Sequence, residues 1–173
     1  MKNKTSFITI NALGVALFVV TSLAFPIRLI GNYFLLLGYS VLAVYCHVFG
    51  PYSGMIVGGL GTLLYCLVAS SFNGLIGWVL GDIIIGLILG IVFTKTKDNK
   101  PLIRYAINIL AIALSCAFSF LFLKPLIETF MFKIPFITRV AANIPGFAMD
   151  SIVLLVTLPF CDMAEKIIRR FVN

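Results

Sequence analysis

The sequence predicts an all-α integral membrane bundle of six transmembrane helices, with the N- and C-termini both cytoplasmic. Three observations carry that prediction. The composition is 61% hydrophobic with a mean hydropathy of +1.13, well above the roughly 45–50% apolar content of a soluble domain. Apolar runs close to the ~20 residues that a helix needs to cross a bilayer recur six times. Between the runs, the positive charges gather on alternate sides.

The six runs are separated by local breakers. The first spans about 7–25, after Lys2 and Lys4, and ends at Pro26, Arg28 and Gly31-Asn32. The second covers about 33–49, and Gly50-Pro51 turns the chain into the third, about 52–70. Ser70-Ser71-Phe72-Asn73-Gly74 supplies residues that tolerate turn geometry before the fourth run, about 75–93. A basic loop, Lys95-Thr96-Lys97-Asp98-Asn99-Lys100, leads to the fifth, about 102–123. Residues 124–138 form a connection holding Lys124-Pro125, Glu128, Lys133 and Pro135, and the sixth run is about 139–161.

With the N-terminus inside, Lys2, Lys4, Lys95, Lys97, Lys100, Arg104, Lys166, Arg169 and Arg170 are cytoplasmic. Arg28, Lys124, Lys133 and Arg139 are external. Nine against four obeys the positive-inside rule, and an odd number of spans would put the C-terminal Lys-Arg cluster outside.

Composition excludes several function classes. The 173 residues form a single transmembrane domain, 1–173, with no segment polar enough for a nucleotide-binding module. The net charge of +7 sits at the ends of apolar runs and faces lipid headgroups, so no nucleic-acid partner is expected. Ser22-Leu23-Ala24 resembles a signal-cleavage site, but the preceding run exceeds the ~7–15 residues of a signal core and is taken as the first span. Cys46, Cys66, Cys116 and Cys161 lie in or at the end of apolar runs without a CxxC pair, so they are expected to be quiet buried thiols. Neither a metal site nor a cofactor is expected.

Small residues mark close helix approach. Ala12 and Ala16 make a flat stripe on the first span, suited either to another span of the chain or to a separate membrane subunit. Gly50, Gly54 and Gly58 form a ridge on the third span; Gly77 and Gly81, then Gly86 and Gly90, do so on the fourth.

Polar interruptions carry the functional signal. Asp82 and Asp150 lie well inside apolar runs, where an ionisable group is costly and faces the bundle or a wet cavity. Asp82 is about two turns from the external end of its helix and Asp150 roughly three turns, so both can reach one outward-facing cavity. Trp78 is one turn from Asp82 on the same face. Asn143 stands near the outer end of the sixth span, above Pro145-Gly146. An indole, carboxyls and an amide suit a flat ligand with hydrogen-bond donors. On the outer side, Arg28 and Arg139 face an anionic ligand group or lipid phosphate, and Tyr33 suits an interfacial belt or a cavity wall. His47, near the cytoplasmic end of the second span, is expected to make an interfacial hydrogen bond. Asp162 and Glu165 are expected to pair with Lys166 and Arg169 along a helix surface.

The pattern resembles the substrate-binding S components of energy-coupling factor (ECF) vitamin transporters. The resemblance rests on the size, the six spans, the basic N-terminus before Ala12 and Ala16, the stretch from Leu42 through Phe49-Gly50-Pro51 to Gly54, and Gly77-Trp78-Val79-Leu80-Gly81-Asp82 with the Gly86/Gly90 ridge. It implies a bacterial plasma-membrane subunit that binds a vitamin or vitamin precursor in an outward cavity. Its implied partners are a transmembrane coupling (T) subunit and two cytoplasmic ATPases, where ATP hydrolysis would reside. Ala12 and Ala16 would dock the coupling subunit. Trp78, Asp82, Asn143 and Asp150 would contact ligand, with the loop from Arg28 to Tyr33 as a lid.

The residues favour an amino- or hydroxyl-bearing heterocycle over a polyanion, with a hydroxymethylpyrimidine- or pyridoxine-like compound as the first expectation. The competing reading is a self-contained ion- or proton-coupled secondary transporter using Asp82 and Asp150. An intramembrane enzyme lacks a paired nucleophile and base, and a purely structural subunit would have no ligand-sized cavity.

Overall fold

The computed structural model describes residues 4–24, 27–30, 33–69 and 74–172, without the side chains of 27–34, 169, 171 and 172. The elements run α1 (Lys4–Ala24), β1 (Ile27–Ile30), β2 (Tyr33–Leu35), α2 (Gly38–Phe49), α3 (Pro51–Val68), α4 (Leu75–Thr96), α5 (Pro101–Ala117), a π-helical segment (Phe118–Leu123), α6 (Lys124–Phe132) and α7 (Phe136–Val172). The all-α membrane bundle expected from the sequence is present. Among the described residues, five helical stretches are long and apolar enough to cross a membrane, and α2 is a shorter sixth apolar helix.

Two boundaries differ from the sequence expectation. The second span was expected from residue 33, but Tyr33–Leu35 pairs antiparallel with Ile27–Ile30. Both segments are rich in β-branched, aromatic and branched aliphatic residues and flank Gly31-Asn32, a composition that favours a hairpin over helix continuation. The helix therefore starts at Gly38. The connection expected at 124–138 is also largely helical: α6 follows the π-helical segment directly, and only residues 133–135 separate it from α7. Lys133, at φ 54, ends α6 in the left-handed conformation.

Glycine makes the α2–α3 corner. Gly50 has φ 83, a conformation that a side chain would strain, and Pro51 starts α3 with its φ already fixed. The expected glycine ridges on α3 and α4 meet each other. A Cβ on Gly54 would strike the Gly86 carbonyl, one on Gly58 the Asp82 carbonyl, and one on Gly90 the Pro51 backbone. Gly77 and Gly81 serve a different neighbour, opening room for the Lys124 backbone and for Ser119.

Packing follows the logic of a membrane rather than of water. Tyr39, Leu42, Phe18, Ile85, Leu89, Phe93, Ile112 and Leu154 fill the interior, while Leu13, Leu60, Leu64, Leu110, Leu114, Ile152 and Val156 lie on the outer surface. In lipid that surface carries no penalty, so helices associate through close contact and polar pairing.

Candidate functional site

Asp82 is fully buried about two turns into α4, facing α2 and α3. The Tyr39 hydroxyl donates to its carboxylate, with the oxygens at 2.9 and 3.1 Å from the tyrosine oxygen. Thr62 of α3 donates to the same carboxylate. The Trp78 indole N–H in turn donates to the Tyr39 oxygen at 2.9 Å. Three helices are thus joined by a directed relay, Trp78 to Tyr39 to Asp82, with Thr62 completing the acceptor. In a low-dielectric interior such a relay fixes each member, because leaving any buried group unpaired is costly.

The relay has neighbours on the later helices. Asp150 of α7 is buried and within electrostatic reach of Tyr39, Asp82 and Lys124. The Lys124 ammonium lies 4.9 Å from the Trp78 ring centroid and 5.8 Å from that of Phe120. Tyr65 meets the other side of this group, its ring edge-on to Trp78 at 6.1 Å.

The structure brings Trp78, Asp82 and Asp150 into one group and places Asn143 in a second one, nearer the outer end. The Asn143 amide donates to buried Glu128 at 3.2 Å and to the Arg139 carbonyl at 2.9 Å, and the Arg139 guanidinium is 3.9 Å from the same Glu128 oxygen. The Gly74 backbone approaches Glu128 so closely that a Cβ there would collide with the carboxylate. Arg28 and Tyr33 belong to the two strands, and their side chains lie outside the described residues.

Sequence reasoning did not single out Tyr39, Thr62, Lys124 or Glu128, which the fold brings to these polar groups. A polar hydroxyl on the Gly58–Gly61 face and a lysine directly after an unbroken apolar run were the available signals.

A separate ionic cluster closes the cytoplasmic end. His47 Nε2 lies 3.1 Å from Asp162 and 3.0 Å from Glu165. The second oxygen of each carboxylate is occupied: Asp162 by Arg104 and by the Tyr105 hydroxyl at 2.9 Å, Glu165 by Lys97 at 2.9 Å. This corrects two expectations. His47 is 2% exposed and tied to α7 rather than sitting at an interface, and Asp162 pairs across to α5 instead of along α7. Neither nitrogen of His47 makes a hydrogen bond among the described residues, so the direct pairs Arg104–Asp162 and Lys97–Glu165 make this cluster an ion-pair lock between helices.

The Ala12/Ala16 stripe points away from the bundle. Both alanines are exposed, while Asn11, Gly14, Val15 and Phe18 form the buried face of α1. The stripe therefore does not pack against another span of this chain. Beside it, between α1, α2 and α7, runs an apolar groove of about 440 Å³.

The family model described as ECF-type riboflavin transporter, S component, matches residues 2–164. The chain belongs to that family and is a membrane-embedded S component, a transport subunit and not an enzyme.

Proposed function

We propose that this chain is the high-affinity substrate-binding subunit of an ATP-driven ECF importer in the cell membrane, and that its substrate is riboflavin. The observation that carries the reading is the Trp78–Tyr39–Asp82 relay, which holds an indole in a fixed orientation inside the bundle. A rigid aromatic wall with polar groups beside it suits a flat heterocycle. The family's description as riboflavin transporters supports the larger isoalloxazine ring over the hydroxymethylpyrimidine- or pyridoxine-like compounds expected from the residues alone.

In this reading Trp78 supplies the stacking surface, and Asp82 acts through Tyr39 by fixing the indole. Asp150 adds polarity on the α7 side. Asn143, held by Glu128, lies on the ligand's outward route, and the strands bearing Arg28 and Tyr33 cover the entrance. The exposed Ala12/Ala16 stripe docks the transmembrane coupling subunit, which in turn works with two ATPases.

Titration of the purified protein with riboflavin, hydroxymethylpyrimidine and pyridoxine tests the substrate, and native mass spectrometry tests for a co-purified flavin. Riboflavin is expected to bind tightest, with Trp78→Ala and Asp82→Ala each weakening it roughly 5- to 150-fold, as loss of a buried polar contact of ~1–3 kcal/mol implies. Tighter binding of either smaller ring would overturn riboflavin as substrate. In liposomes the chain alone is expected not to concentrate substrate on an ion gradient; accumulation would favour secondary transport.

A further inference from the structure

Lys124 stands out among the charged groups of this molecule. It follows the π-helical segment Phe118–Leu123, whose wider turn shifts the register of what comes after it. π-helical turns are frequent at functional sites for that reason. The backbone of Lys124 packs on Gly77, where a Cβ would stand only 3.2–3.3 Å from Lys124 atoms. The lysine is thereby drawn into the bundle, half-buried, with its ammonium over the faces of Trp78 and Phe120.

Its ammonium has three donors and, among the described residues, makes no hydrogen bond and no ion pair. Glu128, Asp150 and Asp82 are within electrostatic reach but beyond pairing distance. Elsewhere in the chain Arg104, Lys97 and Arg139 each face a carboxylate directly. A half-buried ammonium that lies over two aromatic faces and pairs with no carboxylate has unused donors beside Trp78.

We propose that Lys124 is a ligand-contact and specificity-determining residue, donating to a carbonyl oxygen on the edge of the flat ring that lies against Trp78. This rests on the riboflavin reading above and names the group that recognises the ring's acceptor edge. Three nearby carboxyl groups disfavour an anionic partner, so an uncharged carbonyl is the chemistry that fits. Lys124 then selects for acceptor-bearing rings and against cationic ones.

The test titrates riboflavin, 2-thioriboflavin and 4-thioriboflavin against the wild type, Lys124→Met, Lys124→Arg and Trp78→Ala. In each thio analogue a weaker-accepting sulfur replaces one carbonyl oxygen. Lys124→Met is expected to lower riboflavin affinity about 10- to 100-fold, the range of a charge-assisted hydrogen bond, with Lys124→Arg recovering most of it. One thio analogue is expected to bind the wild type more weakly than riboflavin does, and to bind Lys124→Met equally well. If Lys124→Met weakens all three ligands by the same factor, the lysine is only a packing residue and the inference falls. Unchanged riboflavin affinity in Lys124→Met, with binding weakened in Trp78→Ala, also overturns the inference and leaves the proposed function standing. Failure of the wild type to bind riboflavin overturns both.

Discussion

Tyr39 carries more of the interior than its single hydroxyl suggests. Its oxygen accepts from Trp78 and its proton goes to Asp82, so removing that one atom strands a donor and an acceptor together. Tyr39→Phe is expected to cost about 1–3 kcal/mol of stability, read as a lower melting temperature in detergent. Trp78 is the only tryptophan, so its fluorescence reports the relay without a label. Losing the acceptor is expected to shift the emission of the ligand-free protein. An unchanged spectrum in Tyr39→Phe would mean that the relay does not hold the indole. The sequence made Asp82, Asp150 and Trp78 visible because charge and indole are rare in apolar runs. Tyr39 and Thr62 were hidden, since a tyrosine or threonine in a membrane helix is common and only the fold shows which one points at the carboxylate.

Among the elements, α1 has two unlike faces, and its outer one is the site of a clean experiment. Ala12 and Ala16 are exposed and lie off the buried face of α1. Replacing either with Trp is therefore expected to leave riboflavin affinity and melting temperature near wild type. Co-purification with the coupling subunit is expected to fall, because close helix approach drives association in lipid. Full recovery of the complex from both variants would place docking elsewhere. Element boundaries were legible where a breaker was unambiguous: Gly50-Pro51 and the basic loop fell where expected. Lys124-Pro125 misled, because proline is tolerated in the first turn of a helix. After the π-helical segment α6 takes up that position, and the chain stays helical to Phe132.

At the scale of the whole molecule, the two ends are held by different chemistry. The outer end relies on Glu128 shared between Asn143 and Arg139, the cytoplasmic end on His47, Asp162 and Glu165 with two cations. Arg104→Ala leaves Asp162 beside Glu165 without its cation, whereas His47→Ala leaves both carboxylates with a cationic partner. Arg104→Ala is thus expected to lower the melting temperature more than His47→Ala, and the reverse order would show that the imidazole is the keystone of the lock. Such cross-helix pairing was not readable in advance. Asp162 and Lys166 have the spacing of a local helix pair, and only the packing of α2 and α5 against α7 reveals the competing partners.

The brevity of α2 has a bearing on the membrane itself. Twelve residues rise about 18 Å, against a hydrocarbon thickness of about 30 Å. Before α2 the chain forms the antiparallel β1–β2 pair, which no third strand joins among the described residues. Oil cannot solvate amides at the edge of such a pair. The lipid beside the strands is therefore expected to dip, drawing headgroups and water down towards them, and stretching the bilayer works against that dimple. Thermal stability in vesicles is expected to decline as the acyl chains lengthen from myristoleoyl through oleoyl to erucoyl, a trend that mismatch energetics of fractions of a kcal/mol per Å would produce. Indifference to chain length would mean that protein, not water, covers the hairpin edge.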